Sequence, residues 1–406
     1  MTEFGDVESF GVEYWITLNE PLTVVGGGYG GTGHHAPGRC GDVEHCWKGN
    51  NLVEPYLSAK NFIKAHAYAF RAWEALGSPG LGCGMTLNGD WRVPVTSDDQ
   101  DAATRSLEWQ VGLFYDPVYT GDWTPSIEAA VGDRMANMTG DTWAWTDDER
   151  TLIKGAHDSY FFMNHYTTYY VRAEPDAGCG YECDAQAETS GYVESAAAAA
   201  AAATTTTNPT RSAHLASLRY SWATGEPIGT PSSNMWLFNY GAGIGELVRW
   251  YDNRWPNMTF MVTENGWGNL TAPTVQEDVQ DFERCSYYRD YIGNLSAAAA
   301  DGVDVGSYFA WSLMDNYEWA DGFSTRFGLT YVDYDTQERT PKMSAAWFAK
   351  YITPSKGLPD PDSLPYCDAA DLGFAPAPAA KKHYYGTADA RPGDRERVRP
   401  KAVEAI

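Results

Sequence analysis

The sequence lacks the features that mark membrane proteins, disulfide scaffolds and metal centres. None of its apolar runs is long enough to cross a bilayer, and the alanines at 196–203 form too short and too weakly apolar a run. Seven cysteines in 406 residues do not form a disulfide scaffold. No HExxH motif or paired CxxC motif occurs, so the sequence predicts no metal site.

Basic residues are also scarce, with 29 Lys and Arg against 54 Asp and Glu and a formal net charge of −25. A surface this acidic repels phosphate backbones and anionic lipid, so we expect no nucleic acid or membrane partner. A neutral small molecule or oligosaccharide fits this charge. The pattern carries no indication of an oligomeric state.

Two things that the sequence does have are aromatic residues and glycines. Aromatics make up 14% of the chain, which suits either a bulky core or a site that stacks flat rings. The glycine run GGGYGG at 26–31 satisfies the dinucleotide pattern G-x-G-x-x-G. Dinucleotide binding needs a helix directly after the glycines, but a segment containing Pro37 and Gly38 follows, so we reject that function.

Short apolar runs alternate with helical patterns along most of the chain. Strands are predicted at residues 14–18, 81–87, 160–171, 259–263 and 305–313, and helices at 57–76, 100–115, 147–154, 244–255, 276–296 and 344–351. This alternation indicates parallel βα units and therefore an α/β fold over residues 1–358.

Two stretches break the alternation. Residues 176–212 contain two cysteines, eight consecutive alanines and a run of four threonines, which predicts a disordered low-complexity insertion. Periodicity is lost from about residue 359, so we expect 359–406 to be a disordered tail.

Polar, acidic or aromatic side chains lie toward the end of each predicted strand. In chain order they are Asn19-Glu20, Asn88, Asn164-His165-Tyr166, Glu264-Asn265 and Trp311. In a (β/α)8 TIM barrel, this edge of the strands is where sites are built. A closed barrel has eight strands, so the five strands predict an incomplete barrel, with strands 4 to 8 present and the first three βα units absent.

Two of these strand ends carry a glutamate. Glu20 is followed by Pro21, and because proline disfavours helical geometry in the preceding residue, we expect an extended backbone at Glu20. Glu264 follows an apolar run and is followed closely by Gly266. Most glutamates are surface residues without such a role, and either motif alone is weak. Two facing carboxylates, however, are what glycoside hydrolysis requires.

A third motif, WSLMDNYEWADGF, places Trp311, Glu318 and Trp319 just after a strand. Indoles stack on sugar faces, and carboxylates accept hydrogen bonds from vicinal hydroxyls. A packed aromatic loop would explain the tryptophans but not the acidic residue among them.

The stretches TLNEP, MNHYTTYYV, VTENG and WSLMDNYEW…RFG resemble the signature motifs of glycoside hydrolase family 1, the β-glucosidases and β-galactosidases. The resemblance implies a retaining β-glycosidase that needs no cofactor, with Glu20 as acid/base, Glu264 as nucleophile and Tyr166 as a hydrogen-bond donor to the nucleophile. It implies substrate contacts from Asn19, Asn164, Trp311, Glu318, Trp319 and Phe327. The loop HAPGRC resembles plant-type members, in which the cysteines corresponding to Cys40 and Cys46 form a disulfide.

The sequence also departs from the family's pattern. A Gln, an Arg and a His-Trp pair that the family's first strands supply are not found here. Glu rather than Gln at position 20 argues against the thioglucosidases, and Glu318 without a basic cluster argues against the 6-phospho-glycosidases. Two alternatives stay open, namely an inactive or non-folding fragment with residual sugar binding, and a transglycosidase that uses the same residues. Four Asn-x-Ser/Thr sequons and the cysteine pair favour the secretory pathway or the extracellular space.

Overall fold

The computed structural model describes residues 11–31, 33, 35–42, 44–140, 143–173, 187–190, 192–193, 226–234, 236–352 and 357–374. The strands are β1 (Tyr14–Asn19), β2 (Gly82–Asn88), β3 (Trp91–Pro94), β4 (Tyr160–Asn164), β5 (Thr168–Ala173), β6 (Ala187–Ser190), β7 (Tyr192–Val193), β8 (Glu226–Pro227), β9 (Thr230–Pro231), β10 (Phe238–Asn239), β11 (Thr259–Asn265), β12 (Asn269–Leu270), β13 (Val305–Ala310), β14 (Thr325–Arg326), β15 (Thr330–Val332) and β16 (Arg339–Pro341). The α-helices are α1 (Pro21–Tyr29), α2 (Glu54–Ala75), α3 (Gln100–Leu107), α4 (Leu113–Thr120), α5 (Pro125–Thr139), α6 (Asp147–Ile153), α7 (Ala242–Arg254), α8 (Val275–Val279), α9 (Phe282–Ala300) and α10 (Met343–Tyr351).

A five-stranded parallel sheet lies at the centre, in the order β1-β2-β4-β11-β13. The order of the strands follows the chain because each strand is separated from the next by at least one helix, which returns the chain to the starting edge. The predicted parallel βα arrangement is therefore confirmed. All five strands end at the same edge of the sheet. The absence of the first three βα units of a closed barrel stays a prediction.

The segment predicted as one strand at 160–171 is instead two strands. β4 ends at Asn164 after pairing with β2 and β11, and β5 leaves this sheet to pair with β3. The break at 165–167 is held by buried contacts, including one in which the His165 ring Nδ1 lies 2.7 Å from the Gly89 carbonyl oxygen. A continuous apolar and aromatic run does not show where a strand changes partners.

Helix boundaries also differ from the predictions. The helix predicted at 276–296 is divided into α8 and α9, and the one predicted at 100–115 contains a π-helical segment (Glu108–Gly112) and continues as α4 past Pro117. Helix α1 was not predicted, because its three glycines are poor helix formers. The glycine run lies within and directly after this helix rather than before one, so it is not a phosphate-binding loop.

Most of the aromatic side chains that the structure describes are buried in the core or pack against it. Trp123 stacks between Trp143 and Trp145 at centroid distances of 4.1 and 4.2 Å. On α9, Tyr287 and Tyr291 are fully buried and stack at 3.9 Å. Of the two uses that the composition allowed for aromatic residues, a bulky core accounts for the majority. In the part of the chain that the structure describes, no helix is both long and apolar enough to traverse a bilayer.

The first part of the tail expected over 359–406 is packed on the rest of the chain. Residues 357–374 pack on α9 and α10, with a disulfide between Cys285 and Cys367 and a hydrogen bond of 3.1 Å from the Trp347 indole to the Pro365 carbonyl. The predicted boundary is thus wrong for 359–374, because a cross-link and a hydrogen bond to distant residues replace helical periodicity there. Residues 375–406 lie outside the described residues.

The predictions for the cysteines and for the insertion are confirmed only in part. Cys40 and Cys46 are joined by a disulfide with an S–S distance of 2.05 Å. Cys179 and Cys183, which the sequence also allowed to pair, lie outside the described residues. Within the expected insertion at 176–212, β6 pairs antiparallel with β5, so the expectation of disorder is wrong for residues 187–190.

Candidate active site

Glu20 lies directly after β1 and is the residue that precedes helix α1. Its φ of 47° and ψ of 58° are left-handed, so the expected extended backbone is wrong. Its amide donates to the Thr86 carbonyl (2.9 Å), and its own carbonyl accepts from Thr23 N (3.0 Å), so the chain turns at once from strand into helix. Pro21 occupies the first helical turn, where proline is well tolerated. A left-handed residue other than glycine costs of the order of 1–3 kcal/mol and occurs preferentially at functional sites.

Two hydrogen bonds hold the Glu20 carboxyl group. Asn164 Nδ2 donates to Oε1 (2.8 Å), and Thr23 Oγ1 donates to Oε2 (2.9 Å). Burial raises the pKa of Glu20 above its ordinary value, these two hydrogen bonds oppose the rise, and the charge of Asp90 adds to it. The net upward shift favours the protonated form that a proton donor needs.

Glu264 lies on β11, where it is the register partner of Asn164 on β4. The Tyr166 hydroxyl donates to its Oε2 (2.7 Å). Burial raises the pKa of Glu264 to about 7, with further increases from the charges of Glu20 and Glu318, while the hydrogen bonds from Tyr166 and Asn164 oppose the rise. The carboxylate form therefore predominates only above about pH 7 in the free protein.

Asn164 connects the two carboxyl groups. Its side chain is fully buried, and its Oδ1 accepts a hydrogen bond from Thr263 Oγ1 (2.7 Å), which fixes the orientation of the amide. The NH2 group then faces Glu20 Oε1 and Asn19 Oδ1 at 2.8 and 3.1 Å, and it also stabilises the charged form of Glu264. One amide thus acts on both glutamates, a role beyond the substrate contact that the resemblance implied.

Glu318 and Trp311 form the next part of the same cluster. The Trp311 indole Nε1 donates to Glu318 Oε2 (3.4 Å). Burial raises the pKa of Glu318 to about 7, the Trp311 hydrogen bond opposes the rise, and the charges of Asp321 and Glu20 add to it. Since Glu20 acts electrostatically on both Glu264 and Glu318, the three carboxyl groups share one site.

Of the two remaining predicted site residues, Trp319 is exposed and Phe327 is buried. Trp319 is 69% exposed and has a φ of 45°, so its indole is presented to solvent beside Glu318. Phe327 is buried, with its ring edge-on to Tyr166 at 5.9 Å. Gly268 allows this arrangement, because a Cβ there would lie within 3 Å of the Phe327 ring.

Sequence reasoning missed three residues of this site. Trp236 packs edge-on against Tyr166 at 5.8 Å, Thr23 bonds Glu20, and Asp90 acts on the charge of Glu20. Trp236 is in a short apolar run that follows the insertion, and that run is the one signal which could have indicated it. Among the described residues, no three His, Cys, Asp or Glu side chains gather as a metal ion would require.

Comparison with known proteins shows the family of the chain. The family model Glycosyl hydrolase family 1 matches residues 1–357. The chain belongs to this family. Among curated relatives, β-glucosidase 6 of Oryza sativa subsp. japonica is 37% identical over 358 residues, which cover 85% of this chain and 61% of the relative. β-Glucosidase 1B of Phanerodontia chrysosporium is 35% identical over 86% of this chain and 59% of the relative.

Solved structures give the same result for the fold of this family 1 chain. A rice β-glucosidase superimposes with a TM-score of 0.71 at 35% identity, covering 86% of this chain and 67% of that one. A family 1 β-glucosidase from the fungus Humicola insolens in complex with glucose gives a TM-score of 0.67 at 32% identity, covering 82% and 63%. The fold is therefore that of the (β/α)8 barrels of this family. The chain spans about 61% of the length of the rice relative that it matches.

Proposed function

We propose that this chain carries the carboxylate pair of a retaining β-glycosidase that hydrolyses terminal β-D-glucosides or related β-glycosides. The observation that carries the proposal is that Glu20 and Glu264, from strands far apart in sequence, lie at one edge of the sheet with a single amide, that of Asn164, acting on both. Retaining enzymes need their carboxyl groups about 5–5.5 Å apart, and sharing one amide supports a short separation.

In the first chemical step, Glu264 attacks the anomeric carbon while Glu20 donates its proton to the departing glycosidic oxygen. This step needs Glu264 ionised and Glu20 protonated. Burial favours the neutral form of both groups and raises the pKa of Glu264 to about 7; hydrogen bonds from Tyr166 and Asn164 oppose this at Glu264, and those from Asn164 and Thr23 oppose it at Glu20. In the second step Glu20, now a carboxylate, removes a proton from the water that releases the sugar.

Sugar recognition is assigned to Glu318 and to the two indoles near it in sequence. The Glu318 carboxyl group can accept hydrogen bonds from two vicinal hydroxyls, and the Trp311 indole that orients it offers a flat face to the ring. The exposed Trp319 lies next to Glu318 along the chain and supplies a second indole. The names of the relatives, β-glucosidases of rice and of fungi, support glucose as the sugar.

The test uses the full chain with 4-nitrophenyl β-D-glucoside, with proton NMR to identify the first anomer released. Retention predicts β-glucose as the first product, and Glu264→Gln should not release it. Release of α-glucose first would contradict the double displacement. No turnover by the wild-type chain would contradict the assignment of activity to it. Transfer to added methanol faster than to water would favour a transglycosidase.

A further inference from the structure

The backbone that carries Tyr166 has no strand partner at its own position, although Tyr166 makes a 2.7 Å hydrogen bond to Glu264. Tyr166 lies in the break between β4, which ends at Asn164, and β5, which begins at Thr168. A backbone carbonyl in such a break must find another hydrogen-bond donor. The position of the Tyr166 phenol therefore depends on what that donor is.

Helix α9 supplies two donors to this carbonyl, the Tyr287 hydroxyl and, at the longer distance of 3.1 Å, the Tyr291 hydroxyl. The Tyr287 hydroxyl donates to the Tyr166 carbonyl at 2.7 Å. The same hydroxyl oxygen accepts a hydrogen bond of 2.8 Å from Nδ2 of Asn265, the residue directly after Glu264. Tyr287 is fully buried, and its ring is stacked on Tyr291 at 3.9 Å, so the hydroxyl is held in place by packing.

One hydroxyl thus joins the two chain segments that meet at the nucleophile. On one side it holds the backbone of the residue that donates to Glu264, and on the other it holds the neighbour of Glu264. The Asn265 amide is fixed in turn, because its Oδ1 accepts from the Tyr308 hydroxyl at 2.6 Å. The contacts form a closed ring of hydrogen bonds and chain through Tyr287, Tyr166, Glu264 and Asn265.

We propose that Tyr287 is a positioning residue of the nucleophile, whose hydroxyl aligns the Tyr166 phenol with the Glu264 carboxylate. The inference rests on the proposed function for its consequence in catalysis, but the alignment itself is a property of the fold. Tyr287 touches no reacting atom. It acts through Tyr166. Its effect should appear in the pKa of Glu264, because the Tyr166 hydrogen bond favours the ionised form of that carboxyl group.

The matched pair of variants is Tyr287→Phe and Tyr288→Phe. Both remove one hydroxyl from a buried ring on α9, but the Tyr288 hydroxyl donates to the Trp311 carbonyl (3.2 Å) and has no contact with Tyr166 or Asn265. The other groups that act on the charge of Glu264 are the Asn164 amide and the carboxyls of Glu20 and Glu318, which both variants leave in place.

The measurement is a carbon-13 NMR titration of the Glu264 side-chain carboxyl in the full chain, assigned by its loss in Glu264→Gln. Tyr287→Phe should raise the pKa of Glu264 by roughly 0.5–1 unit, the equivalent of one weakened hydrogen bond, and Tyr288→Phe should leave it unchanged. If the chain hydrolyses glucosides, kcat should fall about three- to tenfold in Tyr287→Phe with little change in KM.

Equal pKa values of Glu264 in Tyr287→Phe and wild type would overturn the proposal, and so would an equal shift in Tyr288→Phe. A wild-type chain without turnover would defeat the proposed function alone, since the NMR shift does not require catalysis. Should Tyr287→Phe fail to fold, Asn265→Ala removes the hydrogen bond that orients the Tyr287 hydroxyl and should raise the pKa of Glu264 by a smaller amount; no rise would overturn the proposal.

Discussion

The two proposed catalytic glutamates are held in different ways. Glu20 follows β1, whose partner in the described central sheet is β2 alone, and its carboxyl group is bonded by Asn164 and by Thr23 three residues along the chain. Glu264 lies on β11, which is paired on both sides, and is supported by Tyr166 and indirectly by α9. The proposed proton donor thus lies on a locally strained turn, whereas the proposed nucleophile is fixed by tertiary contacts.

The largest effect should come from Glu264 itself. Glu264→Gln keeps the size of the side chain but removes the nucleophile, so kcat for 4-nitrophenyl β-D-glucoside should fall on the order of 10⁴–10⁶-fold. Steady-state rates at saturating substrate test this. Addition of azide should restore no product of retained configuration, because no glycosyl-enzyme forms. Near-normal rates in the variant would show that Glu264 is not the nucleophile.

Glu20→Gln should be the less severe of the two changes and should depend on the leaving group. A missing acid costs about 10²–10⁴-fold for alkyl glucosides, which need the proton, and much less for 2,4-dinitrophenyl glucoside, which does not. The measurement is the slope of log(kcat/KM) against leaving-group pKa in wild type and variant. A slope unchanged by the substitution would show that Glu20 is not the proton donor.

Variants of Asn164 and Thr23 distinguish a side chain that acts on both glutamates from one that bonds Glu20 alone. Asn164→Ala removes a donor that acts on both glutamates and should lower kcat/KM roughly 10–100-fold, whereas Thr23→Val removes one hydrogen bond from Glu20 and should cost a few-fold. The pH profiles add a second criterion. If Glu20 is the acid, as proposed, the basic limb reports its pKa, so Thr23→Val should raise only that limb, while Asn164→Ala should raise both limbs.

The smallest effect is on stability. The pKa of Glu264 rises from an ordinary 4.5 to about 7 on folding, so this group's contribution to stability is fully present below about pH 4.5 and is lost as pH rises through 7. Glu264→Gln, which cannot ionise, should therefore be more stable than wild type at pH 8, by roughly 1–3 kcal/mol, and about equal at pH 4.5. Thermal unfolding at the two pH values measures the difference; a gain at pH 4.5 as large as at pH 8 would contradict the shift.

The positions of the two glutamates could be predicted from sequence because the relevant signals are local. An apolar, β-branched run followed by Asn-Glu or Glu-Asn marks the end of a strand, and parallel strands end at one edge. The same local signals misled at Glu20, where Pro21 suggested an extended backbone. Hydrogen bonds to Thr86 and within α1 outweigh that preference and hold the residue left-handed.

Other features could not be predicted because they depend on residues far apart in the chain. The Cys285–Cys367 disulfide spans 82 residues, and it fixes a segment that has no helical or strand periodicity. Trp236, in a short apolar run after the insertion, packs against Tyr166. Nothing in the sequence around either residue indicates this contact. Such contacts are decided by how the helices and loops pack, not by the residues near each partner in sequence.

By itself, the sequence determined the acidic surface, the parallel βα order and the placement of Glu20 and Glu264 at strand ends, because charge and short-range periodicity suffice for these. Only the tertiary structure decided how the glutamates are held: Asn164 between them, and the Tyr287 hydroxyl behind Tyr166, 121 residues away in the chain. The physical reason is that the pKa and orientation of a buried carboxyl group are set by the donors and charges around it, and those come from separate strands and helices.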